Sequence, residues 1–273
     1  EGLPITDYCR QHGLALEARL ALFRQVCQAV SHAHANLIVH RDLKPSNIMV
    51  TVHGQTRLLD FGIAKLLDTP DGAVARTELR AFTLHYAAPE QVRGEPVTTR
   101  TDVYALGVVL YEMLTGHKPY RLRGENPLQW EQAIIAVDPQ RPSQMVLSAS
   151  ETGEVGLDAH RQARRLRGDL DRIVLKALAK RPEDRYPSVE ALSADLGRHM
   201  EGLPVQAQRQ SLAYRLGKYA TRQRWWLLAA SLTIFVLVGA AAVSLRQARE
   251  AMREAQRAQA MQNFVIGLFD NTG

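Results

Sequence analysis

The chain has 273 residues, 46% of them hydrophobic and 23% charged, which supplies a packed core and excludes a disordered polyelectrolyte. The net charge of +6 admits nucleic acid, an anionic membrane surface or a phosphate-rich ligand. The two cysteines, Cys9 and Cys27, fit neither a CxxC metal or redox site nor a disulfide framework, and read as ordinary thiols of a reducing compartment.

Leu20, Phe23, Val26, Cys27 and Val30 recur at steps of three and four, which predicts an amphipathic helix over 18–36. Two β-like segments follow, 47–52 and 56–60, separated by His53-Gly54, and read as a small hairpin. Residues 62–82 are polar and irregular, a long loop of the kind that carries function. Residues 102–115 are strongly apolar but too short to span a bilayer, so a buried core helix is expected, with Gly116 as C-cap and Pro119 beyond. Residues 138–168, rich in Pro, Ser, Gly and Arg, read as loop. Two more helices are expected at about 169–180 and 188–200, joined by residues 181–187.

Three motifs occur in order: His40-Arg41-Asp42-Leu43-Lys44-Pro45-Ser46-Asn47, then Asp60-Phe61-Gly62, then Ala88-Pro89-Glu90. The first fixes six positions, which chance supplies roughly once in 10⁸ windows. Together they resemble the catalytic loop, metal-binding motif and A-P-E motif of eukaryotic-type (Hanks-type) serine/threonine protein kinases. The resemblance covers about residues 1–200.

That resemblance implies ATP and Mg²⁺ as the cofactors and protein serine or threonine as the acceptor. It makes Asp42 the carboxylate that orients the attacking hydroxyl, and Lys44 the cation beside the γ-phosphate. Asn47 and Asp60 become the oxygen ligands of the metal. Met49 would lie beneath the adenine, and Asp102 would fix the backbone of the catalytic loop. Glu90 and Arg185 would form a buried ion pair. Within the activation segment, Arg41 would grip a phosphorylated residue, with Thr77 the first candidate and Thr69 the second. Thr83 would bond the catalytic Asp and Lys, and Phe82 departs from the Gly that many kinases carry. His32, His34 and His40 lie close in sequence, but no carboxylate or Cys joins them at ligand spacing.

No G-x-G-x-x-G occurs in the chain, and it opens on Glu1-Gly2-Leu3-Pro4, which resembles the hinge between kinase lobes. The expectation is a fragment without the N-lobe, inactive alone because half of the nucleotide site is elsewhere. The alternative is a catalytically inactive pseudokinase or a membrane-anchored interaction scaffold.

Trp225 to Leu245 is a run of 21 residues without a charge; as a helix it spans roughly 31 Å, the thickness of a hydrocarbon core. Trp225 and Trp226 sit at one end, where interfacial aromatics belong. Five Lys or Arg lie in 205–224 and four in 246–265, so charge barely sets the orientation. Cytoplasmic ATP sets it instead. Because much of the positive charge borders this segment, the expected partners are the lipid bilayer and protein substrates, not nucleic acid; a homodimer is a further possibility.

The expected fold is mainly α: a kinase-like C-terminal lobe, a single transmembrane helix and a helical extension. The domains are 1–203 for the hinge and C-lobe, 204–224 for a basic linker, 225–245 for the span, and 246–273 for the start of an extracytoplasmic helical region. The function implied by the resemblance is Ser/Thr phosphorylation by a single-pass receptor-type kinase of the plasma membrane, with the kinase lobe cytoplasmic.

Overall fold

The computed structural model describes residues 2–60, 84–122, 126–150, 157–208, 231–241, 243–249 and 252–253. The chain divides into two compact units, Glu1–Tyr214 and Arg215–Gly273.

The first unit is mainly helical. Its one described sheet is small and antiparallel, in the order β1 (Gly2–Pro4), β2 (Ile48–Thr51), β3 (Thr56–Leu58). Pro4 and Arg57 flank Met49 in register. Ile48 and Val50 point into the core and Met49 takes the opposite face, as the period of two requires. The hairpin turns at Gly54, whose φ of 73° suits a residue without a Cβ.

Helix α1 (Ile5–Gln11) leads to α2 (Leu16–Ala35). The latter buries Leu20, Phe23, Val26, Cys27 and Val30, the stripe set by the three- and four-residue steps. The short α3 (Pro89–Val92) precedes the central helix α4 (Thr99–Thr115). Thr98 caps α4 by accepting from the Arg100 amide at 3.3 Å, and Gly116 ends it in the left-handed region at φ 75°. This helix is buried on nearly every side because it packs against α1, α2 and three later helices.

The loop expected over 138–168 contains two helices instead. These are α6 (Pro142–Ser150) and α7 (Leu157–Leu166); α5 (Pro127–Ala136) and α1 were also unforeseen. Pro127 and Pro142 start helices rather than break them, since the first turn needs no N–H from them. Helix α6 is capped from a distance: Ser143 donates its amide and hydroxyl to the buried Asp171 carboxylate at 2.9 and 2.7 Å. Asp171 belongs to α8 (Asp169–Ala177), so no local signal announces this cap. Among its described side chains helix α7 buries Ala163 and Leu166; the helix is strongly amphipathic, but its arginine-rich, mostly polar composition reads as loop.

Helix α9 (Val189–Met200) closes the unit. Its buried Asp195 accepts from Tyr186 at 2.8 Å and from the Gln206 and Ala207 amides at 2.6 and 2.8 Å, pinning the chain that leaves the helix.

In the second unit, α10 (Ser231–Arg249) is long and apolar enough to cross a membrane. Leu232, Ile234, Phe235 and Leu237 on it are exposed. Residues 225–230, the linker from 209 onward and most of 246–273 lie outside the described residues.

Gly107 lets α4 approach α8 closely. A Cβ there would meet the Ala177 Cβ at 2.9 Å and Leu178 at 3.2 Å. Gly107→Val should therefore lower the unfolding free energy by about 1–3 kcal/mol through overpacking. Urea titration followed by circular dichroism measures it, and an unchanged midpoint would disprove the close packing.

Candidate active site

The site is built on one carboxylate. Asp102, in the first turn of α4 and fully buried, accepts from three donors. They are His34 Nε2 at 2.7 Å, the His40 amide at 2.8 Å and the Arg41 amide at 2.9 Å. The last two fix the backbone just before Asp42.

Arg41 sits at φ 65°, a left-handed conformation that costs a non-Gly residue on the order of 1–2 kcal/mol. Both of its peptide groups are held. Asp102 takes the amide, and the Gln91 side chain donates to the carbonyl at 2.9 Å. Gln91 Oε1 in turn accepts from the Ala88 amide at 3.0 Å, tying the catalytic loop to the A-P-E segment.

Beyond this clamp the loop turns through a short 3₁₀ segment, Pro45–Asn47. Lys44 Nζ lies 2.9 Å from Asp42 Oδ2. Asn47 Nδ2 donates to the Asp42 carbonyl at 2.9 Å and to its Oδ2 at 3.2 Å. The Asn47 carbonyl accepts from the Leu59 amide at 2.9 Å, while His40 Nε2 donates to the Leu59 carbonyl at 3.1 Å. Leu59 is thereby held on both sides, and the next residue, Asp60, is exposed at φ 47°.

Asp42, Lys44 and Asn47 thus come together through direct bonds, and Asp60 follows a residue fastened to the same loop. Met49 is half-buried on the sheet face away from the core. Thr69, Thr77, Phe82 and Thr83 lie outside the described residues, as do Phe61 and Gly62.

The donor set fits Mg²⁺. Asn47 spends its Nδ2 on Asp42, which leaves Oδ1 to face a cation, and Asp60 presents a carboxylate. Two hard oxygens suit an ion that keeps waters and phosphate oxygens as its other ligands. Among the described residues no group of three His, Cys, Asp or Glu could hold a metal. His34 and His40 are engaged by Asp102 and Leu59 rather than turned toward a shared centre.

A second anchor lies behind the A-P-E segment. Arg185 meets Glu90 through two 2.7 Å bonds, with both side chains buried. Its remaining N–H groups reach the carbonyls of Ala179 at 2.8 Å, Arg100 at 2.9 Å and Lys180 at 3.0 Å. All five guanidinium donors are used, and the plane lies 4.9 Å from the Tyr104 ring. Burial pushes the Glu90 carboxyl up, but the bonds and charge of Arg185, with Thr101, outweigh it and hold it below its ordinary value.

Sequence reading missed several supporting residues. The sequence does not single out Gln91, and His34 is weighed there only as a metal ligand and not as a donor to Asp102; both have partners distant in sequence. Lys180 donates to Tyr120 Oη and the Ile134 carbonyl, each at 2.7 Å, and burial pushes its pKa down to about 8. His85 accepts from Lys118 at 2.9 Å and meets Trp130 edge-on; burial, with the Lys118 charge, pushes it down to about 4.

Residues 3–196 match the family model described as the protein kinase domain. Similar proteins include the serine/threonine-protein kinase PknB of Mycobacterium tuberculosis, 37% identical over 210 residues, covering 77% of this chain and 30% of that protein. PknB of Mycolicibacterium smegmatis is 36% identical over 210 residues, covering 77% and 31%. A probable serine/threonine-protein kinase PknB of Corynebacterium glutamicum is 38% identical over 173 residues, covering 63% and 24%. The chain spans less than a third of the length of these curated relatives.

Removing Arg185 should leave a buried carboxylate unpaired. Arg185→Ala is expected to cost about 3–5 kcal/mol, and Glu90→Gln with Arg185→Met to recover much of it. The depressed Glu90 pKa means its stabilisation is full above the ordinary carboxylate value near 4.5 and is lost as pH falls through the lower folded value. Arg185→Ala should therefore flatten the acid limb of a urea-midpoint-versus-pH profile. Equal midpoints for wild type and Arg185→Ala would contradict the assignment.

Proposed function

The chain belongs to the protein kinase family, and from that premise we propose that it forms the acceptor-side half of an ATP-dependent serine/threonine protein kinase. The observation that carries this reading is the Asp42 carboxylate, held by Lys44 and Asn47 in a loop clamped by Asp102.

Phosphoryl transfer asks the protein for position and charge rather than covalent chemistry. Asp42 Oδ orients the acceptor hydroxyl and takes its proton as the oxygen attacks phosphorus. Its two neighbours, Lys44 and Asn47, hold the carboxylate in place. Lys44, already 2.9 Å from Asp42, places its ammonium where charge develops on the transferred group. Asn47 Oδ1 and the Asp60 carboxylate would hold Mg²⁺, which neutralises the phosphate oxygens when bound. Met49 supplies the apolar face for the adenine. The substrates are protein serines or threonines. Arg41 is the candidate grip for a phosphorylated activation segment, with Thr77 the proposed site and Thr83 the bond to Asp42 and Lys44.

The proposal extends to the membrane. Residues 225–245 cross it once, supported by the uncharged run, the Trp pair and the exposed apolar side chains of α10. The kinase lobe and the 204–224 linker then face cytoplasmic ATP, and residues from 246 face the other side.

The test uses a longer chain that also supplies a glycine-rich loop and strand lysine. Such a chain should transfer the γ-phosphate of ATP to a generic acceptor protein in the presence of Mg²⁺. Asp42→Asn should reduce kcat by roughly 10²–10⁴-fold with little change in nucleotide affinity. Unimpaired turnover of Asp42→Asn would remove the proposed base.

A further inference from the structure

Helix α7 presents a basic stripe that the proposed chemistry does not use. Ala163 and Leu166 fix its buried side. His160, Arg161 and Arg164 are exposed on the other side, and Arg167, in the turn just past the helix with its amide on the Ala163 carbonyl, continues the row at the three- and four-residue spacing of one helical face. Arg165 pairs with Glu17. Among the described residues no carboxylate pairs with Arg161, Arg164 or Arg167.

The charge continues beyond the helix. Arg172 is exposed on α8, and with Lys176 it lines an open cleft of about 490 Å³ completed by Leu175, Ala207 and Gln208. Asp195 pins the amides of Gln206 and Ala207, which holds the last described residues of the lobe beside these cations. The next residues, 209–224, add Arg209, Arg215, Lys218, Arg222 and Arg224 before the uncharged run. These 16 residues reach at most ~60 Å when fully extended. A tether of that length holds the lobe at high effective concentration near a bilayer surface.

We infer that the arginine face of α7, continued by Arg172 and Lys176, docks on anionic lipid headgroups. The inference rests on the membrane reading above. Charge complementarity and continuity with the basic tether favour lipid over an acidic protein segment. Guanidinium groups bind phosphate through paired donors. Each cation near an anionic surface changes partitioning roughly fivefold, so three arginines together supply about a hundredfold.

The test uses residues 1–273 in lipid nanodiscs. Cys9 and Cys27 are buried, so His160→Cys provides one labelling point on the stripe. The fluorophore is quenched by nitroxide-bearing headgroups when the face touches them. Strong quenching is expected in discs containing one third phosphatidylglycerol and little in pure phosphatidylcholine. It should vanish at about 0.5 M salt, and in Arg161→Gln/Arg164→Gln/Arg167→Gln. Neutralising the five tether cations alone should weaken it without abolishing it.

Equal quenching in both discs would overturn the inference. So would quenching that survives the triple substitution. Displacement from anionic discs by a stoichiometric soluble phosphopeptide would assign the face to acidic protein instead. A chain that elutes apart from the discs would overturn the span, and the docking with it; a chain that stays with the discs unquenched would overturn the docking alone.

Discussion

A single buried carboxylate organises the catalytic loop. Asp102 stands at the start of the most deeply buried helix and takes two consecutive backbone amides and an imidazole. An anion in the core is costly unless its lone pairs are filled. Three donors fill much of that capacity, so the helix and the loop specify one another. A loop that could not reach Asp102 would leave the charge unsatisfied. A helix displaced from the loop would strand the buried His40 amide and the part-buried Arg41 amide.

The constraint also explains the strained backbone. Arg41 and Asp60 both occupy left-handed conformations without being glycine. Such residues persist only where their surroundings over-determine them. Arg41 is gripped at its amide by Asp102 and at its carbonyl by Gln91. Asp60 follows Leu59, whose peptide groups are bound by Asn47 and His40. Glu90 and Arg185 secure the A-P-E segment from behind, so Gln91 bonds from a fixed base. The proposed reacting groups are therefore held by backbone positions that are themselves bound, which is the preorganisation that phosphoryl transfer requires.

Much of this was legible in the sequence, and the failures follow a pattern. The buried stripe of α2 and the all-round apolarity of α4 are local signals, and both helices formed where periodicity put them. The motifs named the residues of the catalytic loop because their spacing is fixed within a few positions. What stayed hidden depends on distant partners. Helix α6 begins at a proline and is capped by Asp171, 28 positions from Ser143. Gln91 lies 50 positions from the carbonyl it holds. In each case the deciding bond joins residues that no short window contains.

The account's central claim is that Asp102 fixes the catalytic loop in this chain before any nucleotide binds. Amide hydrogen exchange at His40 and Arg41, resolved by NMR in residues 1–273, tests it most directly. The account predicts that these two loop amides exchange about as slowly as the core amides of α4. In Asp102→Ala they should exchange orders of magnitude faster while α4 keeps its protection. Wild-type His40 and Arg41 amides that exchange at the rate of an ordinary exposed loop would contradict it.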